Sequence, residues 1–280
     1  DMGAFYFDQT DLEPPTIIIN NIISEYGTDD ELVISWSAND NYYIESTEIY
    51  YSPDSLVTII GVDTLDGEVE QYNFPISDSL LTNYSSFIIH VYDGWGNSAI
   101  DTSNFFSIYD NTAPNVDVIA PQENLSVPEY ESFNVEWTHS DNIELFGHIF
   151  EYTVDGSSFD TLLNTNDLTD ANSYEFQVEG VTNTAQIRLT VTDLAGNSST
   201  DISEQFSVTD NTPPSIALTS PLTGTTVGIG DQLEMTWNDS DNVGVETVSL
   251  YYTVSGTWNS IAQNIENVNA YDWIIPNEPT

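Results

Sequence analysis

The chain is 280 residues long and carries 46 Asp and Glu against one basic residue, Arg188, for a formal net charge of -45. With no basic footprint to neutralise phosphates, nucleic acid is excluded as a partner, and anionic membrane surfaces are disfavoured for the same reason. A hydrophobic content of 39% with 12% aromatics supports packed cores and not a disordered acidic tail, and the absence of cysteine excludes a disulfide framework and thiol chemistry.

A chain this acidic repels itself unless cations or salt screen it, which points to salty, calcium-containing surroundings outside a cell. Three bound Ca²⁺ would offset only about 6 of the 45 charges, so bulk salt must do the rest. No apolar run reaches transmembrane length, so no membrane insertion is expected of this segment.

In chain order, residues 1–10 read as the last strand of a preceding repeat, because Phe5-Tyr6-Phe7 stands before an acidic, proline-stopped joint, Asp11-Leu12-Glu13-Pro14-Pro15. The same joint returns as Asp110-Asn111-Thr112-Ala113-Pro114 and as Asp210-Asn211-Thr212-Pro213-Pro214. Pro15 to Pro114 is 99 positions and Pro114 to Pro214 is 100. A period near 100 residues matches one small sandwich domain per repeat. The expected units are therefore 11–110, 111–210 and 211–280.

Unit one reads as seven strands between turn signals: Thr16 to Asn20, Glu31 to Trp36, Ile44 to Ser52, Ser55 to Ile60, Gln71 to Ile76, Ser85 to Tyr92 and Thr102 to Tyr109. Seven is the number an immunoglobulin-like sandwich needs. Unit two repeats the pattern, with Trp36 mapping to Trp137, Tyr51 to Tyr152, Tyr72 to Tyr174 and Asp93 to Asp193. Unit three restarts with Trp237, Tyr252 and Tyr271 in register and has no counterpart of Ser85 to Tyr109. The fold class is all-β: tandem seven-stranded Ig-like β-sandwich domains, the third incomplete, as in a piece cut from a longer array.

Three acidic clusters recur with the repeat. The first is the joint itself, Asp11, Asp110 and Asp210. The second follows the core tryptophan: Asp40-Asn41, Asp141-Asn142 and Asp241-Asn242. The third is an Asp-x-x-Gly-Asn turn, Asp93 to Asn97 and Asp193 to Asn197. In a seven-stranded sandwich these loops share one pole, where one bead meets the previous one. Carboxylate, amide and carbonyl oxygens gathered from separate loops suit Ca²⁺, whereas Zn²⁺ favours His or Cys and Mg²⁺ a stricter octahedron. The competing reading is that Asp and Asn stand there only as turn formers. Asp239 to Gly244 resembles the start of an EF-hand loop but fails at Val243 and Leu250.

Trp36, Trp137 and Trp237 end apolar strands and are expected in the core, while Trp95 and Trp258 fall in loops. His90, His139 and His148 show no metal spacing, and no nucleophile elbow, phosphate loop or dinucleotide fingerprint occurs. A non-catalytic role is expected.

At Trp237 to Val245, at Leu250-Tyr251-Tyr252-Thr253 and at Val191 to Asn197 the chain resembles tandem bacterial Ig-like repeats of large secreted adhesins and surface proteins. Its joints resemble cadherin linkers, where Asp-Asn-x-Pro and neighbouring acidic loops clamp calcium. Asp11-Leu12-Glu13 departs from that joint pattern. The resemblance implies an extracellular spacer of calcium-rigidified beads whose partners are neighbouring repeats of the same longer chain. A cell-surface glycan or protein is a further candidate partner. The alternatives are a glycan- or protein-binding module, or accessory repeats of a secreted hydrolase.

Overall fold

The computed structural model describes residues 10–277, so the run Phe5-Tyr6-Phe7 lies outside the described residues. Strands account for 57% of the described residues. Each sandwich buries the inward side of strands whose apolar residues alternate with polar ones.

The first sandwich comprises β1 (Thr16–Ile19), β2 (Glu25–Gly27), β3 (Leu32–Asn39), β4 (Ile44–Ser52), β5 (Ile60–Asp66), β6 (Gln71–Phe74), β7 (Thr82–Asp93), β8 (Ser98–Thr102) and β9 (Phe106–Tyr109). One sheet has the order β1-β3-β6; the other runs β2-β9-β7-β4-β5, with β8 also on β7. The second sandwich repeats this with β10 (Asn115–Ala120), β11 (Ser126–Pro128), β12 (Ser132–Ser140), β13 (Leu145–Thr153), β14 (Asp160–Thr165), β15 (Ser173–Gln177), β16 (Thr182–Asp193), β17 (Ser198–Ile202) and β18 (Phe206–Thr209). Its sheets are β10-β12-β15 and β11-β18-β16-β13-β14, with β17 on β16.

In the third, β19 (Ser215–Ser220), β20 (Gln232–Ser240) and β23 (Ala270–Ile274) form one sheet, and β21 (Thr247–Val254) pairs only with β22 (Thr257–Glu266) among the described residues. The cores scale accordingly. Trp36, Tyr51, Phe87 and Phe106 anchor the first, Trp137, Phe150 and Phe206 the second, whereas the third buries only Met235, Trp237, Val248 and Leu250. At roughly 1.5–3 kcal/mol per fully buried large apolar side chain, the third core contributes far less than its neighbours.

Three details depart from the strands expected. Ser55 to Ile60 is a turn and not a strand: the Asp54 carboxylate accepts from the Thr58 amide and hydroxyl, both at 2.6 Å, and Ser55 and Leu56 take φ of 58° and 70°. The strand starts at Ile60 instead. The strand expected at Thr102 to Tyr109 begins only at Phe106, and a separate strand, β8, precedes it at Ser98–Thr102; between them the Ser103 Oγ accepts from the Phe87 amide at 2.9 Å and so substitutes a side chain for ladder pairing. Finally, β2 and β11 are three-residue strands that pair in parallel with β9 and β18. Three residues are too few to show alternation.

Candidate metal centres

The core tryptophans are 1–2% exposed, so they are packing residues, while Trp95 is 41% exposed in its turn and Trp258, 70% exposed, lies on β22 and not in the loop expected. Above each core tryptophan the sheet ends in the acidic loop of the second cluster. Asp11, Asp40 and Asp93 place carboxylate oxygens within 4.8 Å of one another at the head of the first sandwich, and Asp110, Asp141 and Asp193 do the same between the first and second.

The two groups are built alike. The turn after β7 is closed by Asp93 Oδ1, which accepts from the amides of Trp95 (2.9 Å) and Asn97 (2.8 Å), while Oδ2 accepts from Asn97 Nδ2 at 2.6 Å. Asp193 uses the amides of Gly196 (2.7 Å) and Asn197 (2.8 Å), and Asn197 Nδ2 at 2.8 Å. Gly96 and Gly196 occupy φ of 93° and 98°, a region that a side chain makes costly, which explains the glycine in each turn. Burial of Asp93 works against its ionisation, but the donors from Asn97 and the turn amides outweigh this and hold its carboxyl below the usual range.

The turn is then tied to the joint. Asn97 Nδ2 donates to the main-chain oxygen of Asp11 at 3.2 Å, and Asn197 Nδ2 to that of Asp110 at 3.3 Å. Asp11 Oδ1 accepts from the Glu13 amide and Asn41 Nδ2, and Asp110 Oδ1 from the Thr112 amide and Asn142 Nδ2. Asp40 and Asp141 each turn one oxygen to the amide two residues on. The other oxygens stay apart: Asp11 Oδ2, Asp40 Oδ2 and Asp141 Oδ1 are buried and accept no hydrogen bond among the described residues.

Three clustered carboxylates with orphaned oxygens repel one another, by about 1 kcal/mol per pair at 4 Å in bulk water and about 4 kcal/mol at an effective dielectric of 20. A hard dication reverses that sign. Ca²⁺ takes oxygens at 2.3–2.6 Å, so ligands of one ion stand no more than roughly 4.6–5.2 Å apart, and an all-oxygen group whose atoms lie within 4.8 Å of one another is close enough to share one ion. The residues present therefore suit calcium. Asn41, Asn97, Asn142 and Asn197 lend their amide nitrogens to the carboxylates and so orient them.

The third set is arranged otherwise. Asp210 is exposed and accepts from the Thr212 amide at 2.9 Å; Asp241 Oδ2 accepts from the amides of Val243 and Gly244 at 3.2 Å, while its Oδ1 is buried without a hydrogen-bond partner among the described residues. Asn242 Nδ2 donates across the joint to Glu129 at 2.6 Å. The described residues hold no counterpart of Asp93 and Asp193 here.

Sequence spacing concealed several neighbours. Asp78, in a short 3-10 helix (Asp78–Leu80), and Glu129, in the loop after β11, reach the next unit from positions with no repeat signature. His139 and His148, nine positions apart, meet inside the second sandwich with Nδ1 and Nε2 at 2.8 Å. Among the described residues, no helix is long and apolar enough to cross a membrane.

No family model matches the chain, and no curated protein matches it. Among solved structures it is similar to a tetra-tandem repeat from the extending region of a large adhesion protein (15% identity, 94% of this chain and 66% of that one, TM-score 0.37). It is also similar to a Ca²⁺-stabilized adhesin of an Antarctic bacterium that binds ice (13% identity, 93% and 65%, TM-score 0.32). A third similarity is to the fibronectin(III)-like modules of Clostridium thermocellum CbhA (12% identity, 70% and 95%, TM-score 0.32).

Proposed function

We propose that this chain is a non-catalytic extracellular spacer, a stalk of β-sandwich beads in a surface adhesin or fibre, stiffened by Ca²⁺ at its joints. Asp11, Asp40 and Asp93 would hold one ion and Asp110, Asp141 and Asp193 another, with Asn41, Asn97, Asn142 and Asn197 positioning them. The observation that carries the reading is Asp110: it is the residue between β18's counterpart, β9, and the next sandwich, it is 6% exposed, and its carboxylate lies with two carboxylates of the following bead. An ion shared there would fix the angle between beads. Asp210, Asp241 and Asn242 form a less complete set and would contribute a site only with further ligands.

Small-angle scattering with and without a chelator, paired with calcium titration calorimetry, tests the reading. Two heats of binding and a change from stiff to flexible on chelation are expected; superimposable curves with no heat would leave the clusters as turns.

One observation favours a second reading, a glycan-binding role. Tyr42, Tyr43 and Trp95 form an exposed aromatic group beside the first acidic cluster, with ring centroids 4.8 and 5.9 Å from the tryptophan. Glycan-array binding lost in Trp95→Ala would support it.

A further inference from the structure

The two joints between described sandwiches use the same chain positions differently. Thr28 and Glu129 are equivalent, because each follows the short parallel strand and donates its amide to the last residue of the partner strand, Thr28 to Tyr109 at 3.0 Å and Glu129 to Thr209 at 2.8 Å. In the first joint, the Thr28 hydroxyl has only long contacts, 3.3–3.5 Å, to Asp110, Asn111 and Thr112. Asn142 of the next bead donates to Asp110 at 3.2 Å and to the exposed Asp78 at 3.1 Å. Asn111 also donates to the exposed Asp29 and accepts from its amide at 3.4 Å. The buried carboxylate of the first joint is thus Asp110, a member of the acidic group that a cation would hold, and the carboxylates outside that group, Asp29 and Asp78, are open to solvent.

The second joint differs. Glu129 is 2% exposed, and its Oε1 accepts two short bonds from the following bead: Thr212 Oγ1 at 2.6 Å and Asn242 Nδ2 at 2.6 Å. Asp210, the counterpart of Asp110, is exposed and turned to its own linker. Hydrogen bonds to an ionised acceptor are roughly twice as strong as neutral ones, and a buried carboxylate is held hard to its donors because water cannot replace them. Glu carries its acceptor oxygens two bonds further from the backbone than the Thr hydroxyl, so from an equivalent position it spans a gap that Thr28 cannot.

We propose that Glu129 is a protein latch that holds the joint between the second and third beads without a cation, whereas the first joint has only solvent-exposed carboxylates, Asp29 and Asp78, outside its acidic group. The contrast rests on the calcium reading of the first joint; the latch itself does not. A stalk built this way bends at one defined place when calcium falls, the joint after Tyr109, and stays straight at the next.

The chain has no cysteine, so pairs of introduced cysteines take spin labels cleanly. Thr64→Cys with Thr161→Cys reports the first joint, and Thr161→Cys with Ser260→Cys the second; all three positions are exposed, on equivalent strands. Distance distributions are recorded for the full chain in calcium and in chelator, with and without Glu129→Thr, a change the first bead already accommodates. The second-joint distribution is expected to stay narrow in chelator and to lose its narrow peak in Glu129→Thr plus chelator. Glu129→Gln, which keeps an acceptor of the same length, should retain part of the peak. A second joint that broadens in chelator with Glu129 intact would overturn the latch and make the joint cation-held; so would a Glu129→Thr chain that stays narrow. Should the first-joint pair ignore chelator, the calcium reading fails there while the latch is judged on its own pair.

Discussion

Asn197 Nδ2 donates to the main-chain oxygen of Asp110 at 3.3 Å, joining residues 87 positions apart, and Asn97 repeats this with Asp11 at 3.2 Å. One amide therefore closes its own turn on Asp193 and pins the joint to it. The acidic group is a consequence of that fastening, since it brings the joint carboxylate over the turn carboxylate.

Asn197→Ala removes the donors to Asp193 Oδ2 and to Asp110 and adds nothing. Groups that orient metal ligands typically matter by about 10–100-fold in affinity. Calcium titration should then show one of two sites weakened by that order, the other unchanged, with the second sandwich destabilised by about 1–3 kcal/mol in urea. Equal, unaltered affinities at both sites would show that the amide fastens nothing that a cation uses.

Asp110→Ala takes one carboxylate from the shared group and spares Asp11, Asp40 and Asp93. It is expected to abolish calcium-dependent stiffening at the first joint while the head site still binds. In scattering, the variant in calcium should match the wild type in chelator; a variant as stiff as the wild type would place the clamp elsewhere.

Much of this was legible in the residues. Alternation located the long strands, since β3, β4 and β16 bury alternate residues over most of their length, whereas β7 buries the continuous run Ser85 to Ile89, and tryptophans in register marked the cores. The 100-residue period then put the acidic loops at one pole. What spacing could not show was anything arising from the approach of two units. Glu129 follows a proline in an unremarkable loop, and it becomes a joint residue only when Asn242, 113 positions on, arrives beside it. Ser55 to Ile60 misled because its apolar residues suggest a strand, while the Asp54 side chain outcompetes ladder pairing for the Thr58 amide. The His139 and His148 pair was hidden because the two residues lie on different sheets.

That pair carries a pH prediction. His148 is 1% exposed; burial and the neighbouring His139 lower its value to about 4, and burial likewise lowers His139, against the opposing pull of Asp170. A histidine with a depressed folded value binds fewer protons folded than unfolded. Stability therefore rises with pH from about 4 to about 6.5 and is lost as pH falls through that window. The full span is on the order of 3 kcal/mol for His148. His148→Val, the residue that the third unit has as Val248, should flatten this limb. Urea melts of the second sandwich at pH 7 and pH 5 give the comparison, and identical slopes in both chains would show that the pair does not stay neutral in the fold.

Arg188 gives the last test, because it is the only residue at which trypsin can cut. It lies in β16, with Cα partners Glu151 on β13 and Ile202 on β17, so its backbone is engaged on both sides. Its side chain is held as well: Nε and Nη2 bond the two Glu151 oxygens at 2.6 and 2.7 Å, and the guanidinium stands 4.1 Å from the Phe159 ring centroid. A protease needs this segment extended and alone, which requires the sandwich to open, so cutting follows the population of the open form when reclosing is fast. In calcium the chain should persist under trypsin with a lag set by that opening. A cation bound only to the folded form at 100 times its dissociation constant contributes about 2.7 kcal/mol, or roughly 100-fold in open population. Asp110→Ala, compared at constant calcium so that the protease is unaffected, should be cut faster by up to that factor, and Arg188→Gln should not be cut at all. Prompt cleavage of the wild type in calcium would mean that β16 is not the paired central strand described, and equal rates for wild type and Asp110→Ala would mean that the acidic group adds nothing to the fold of the second sandwich.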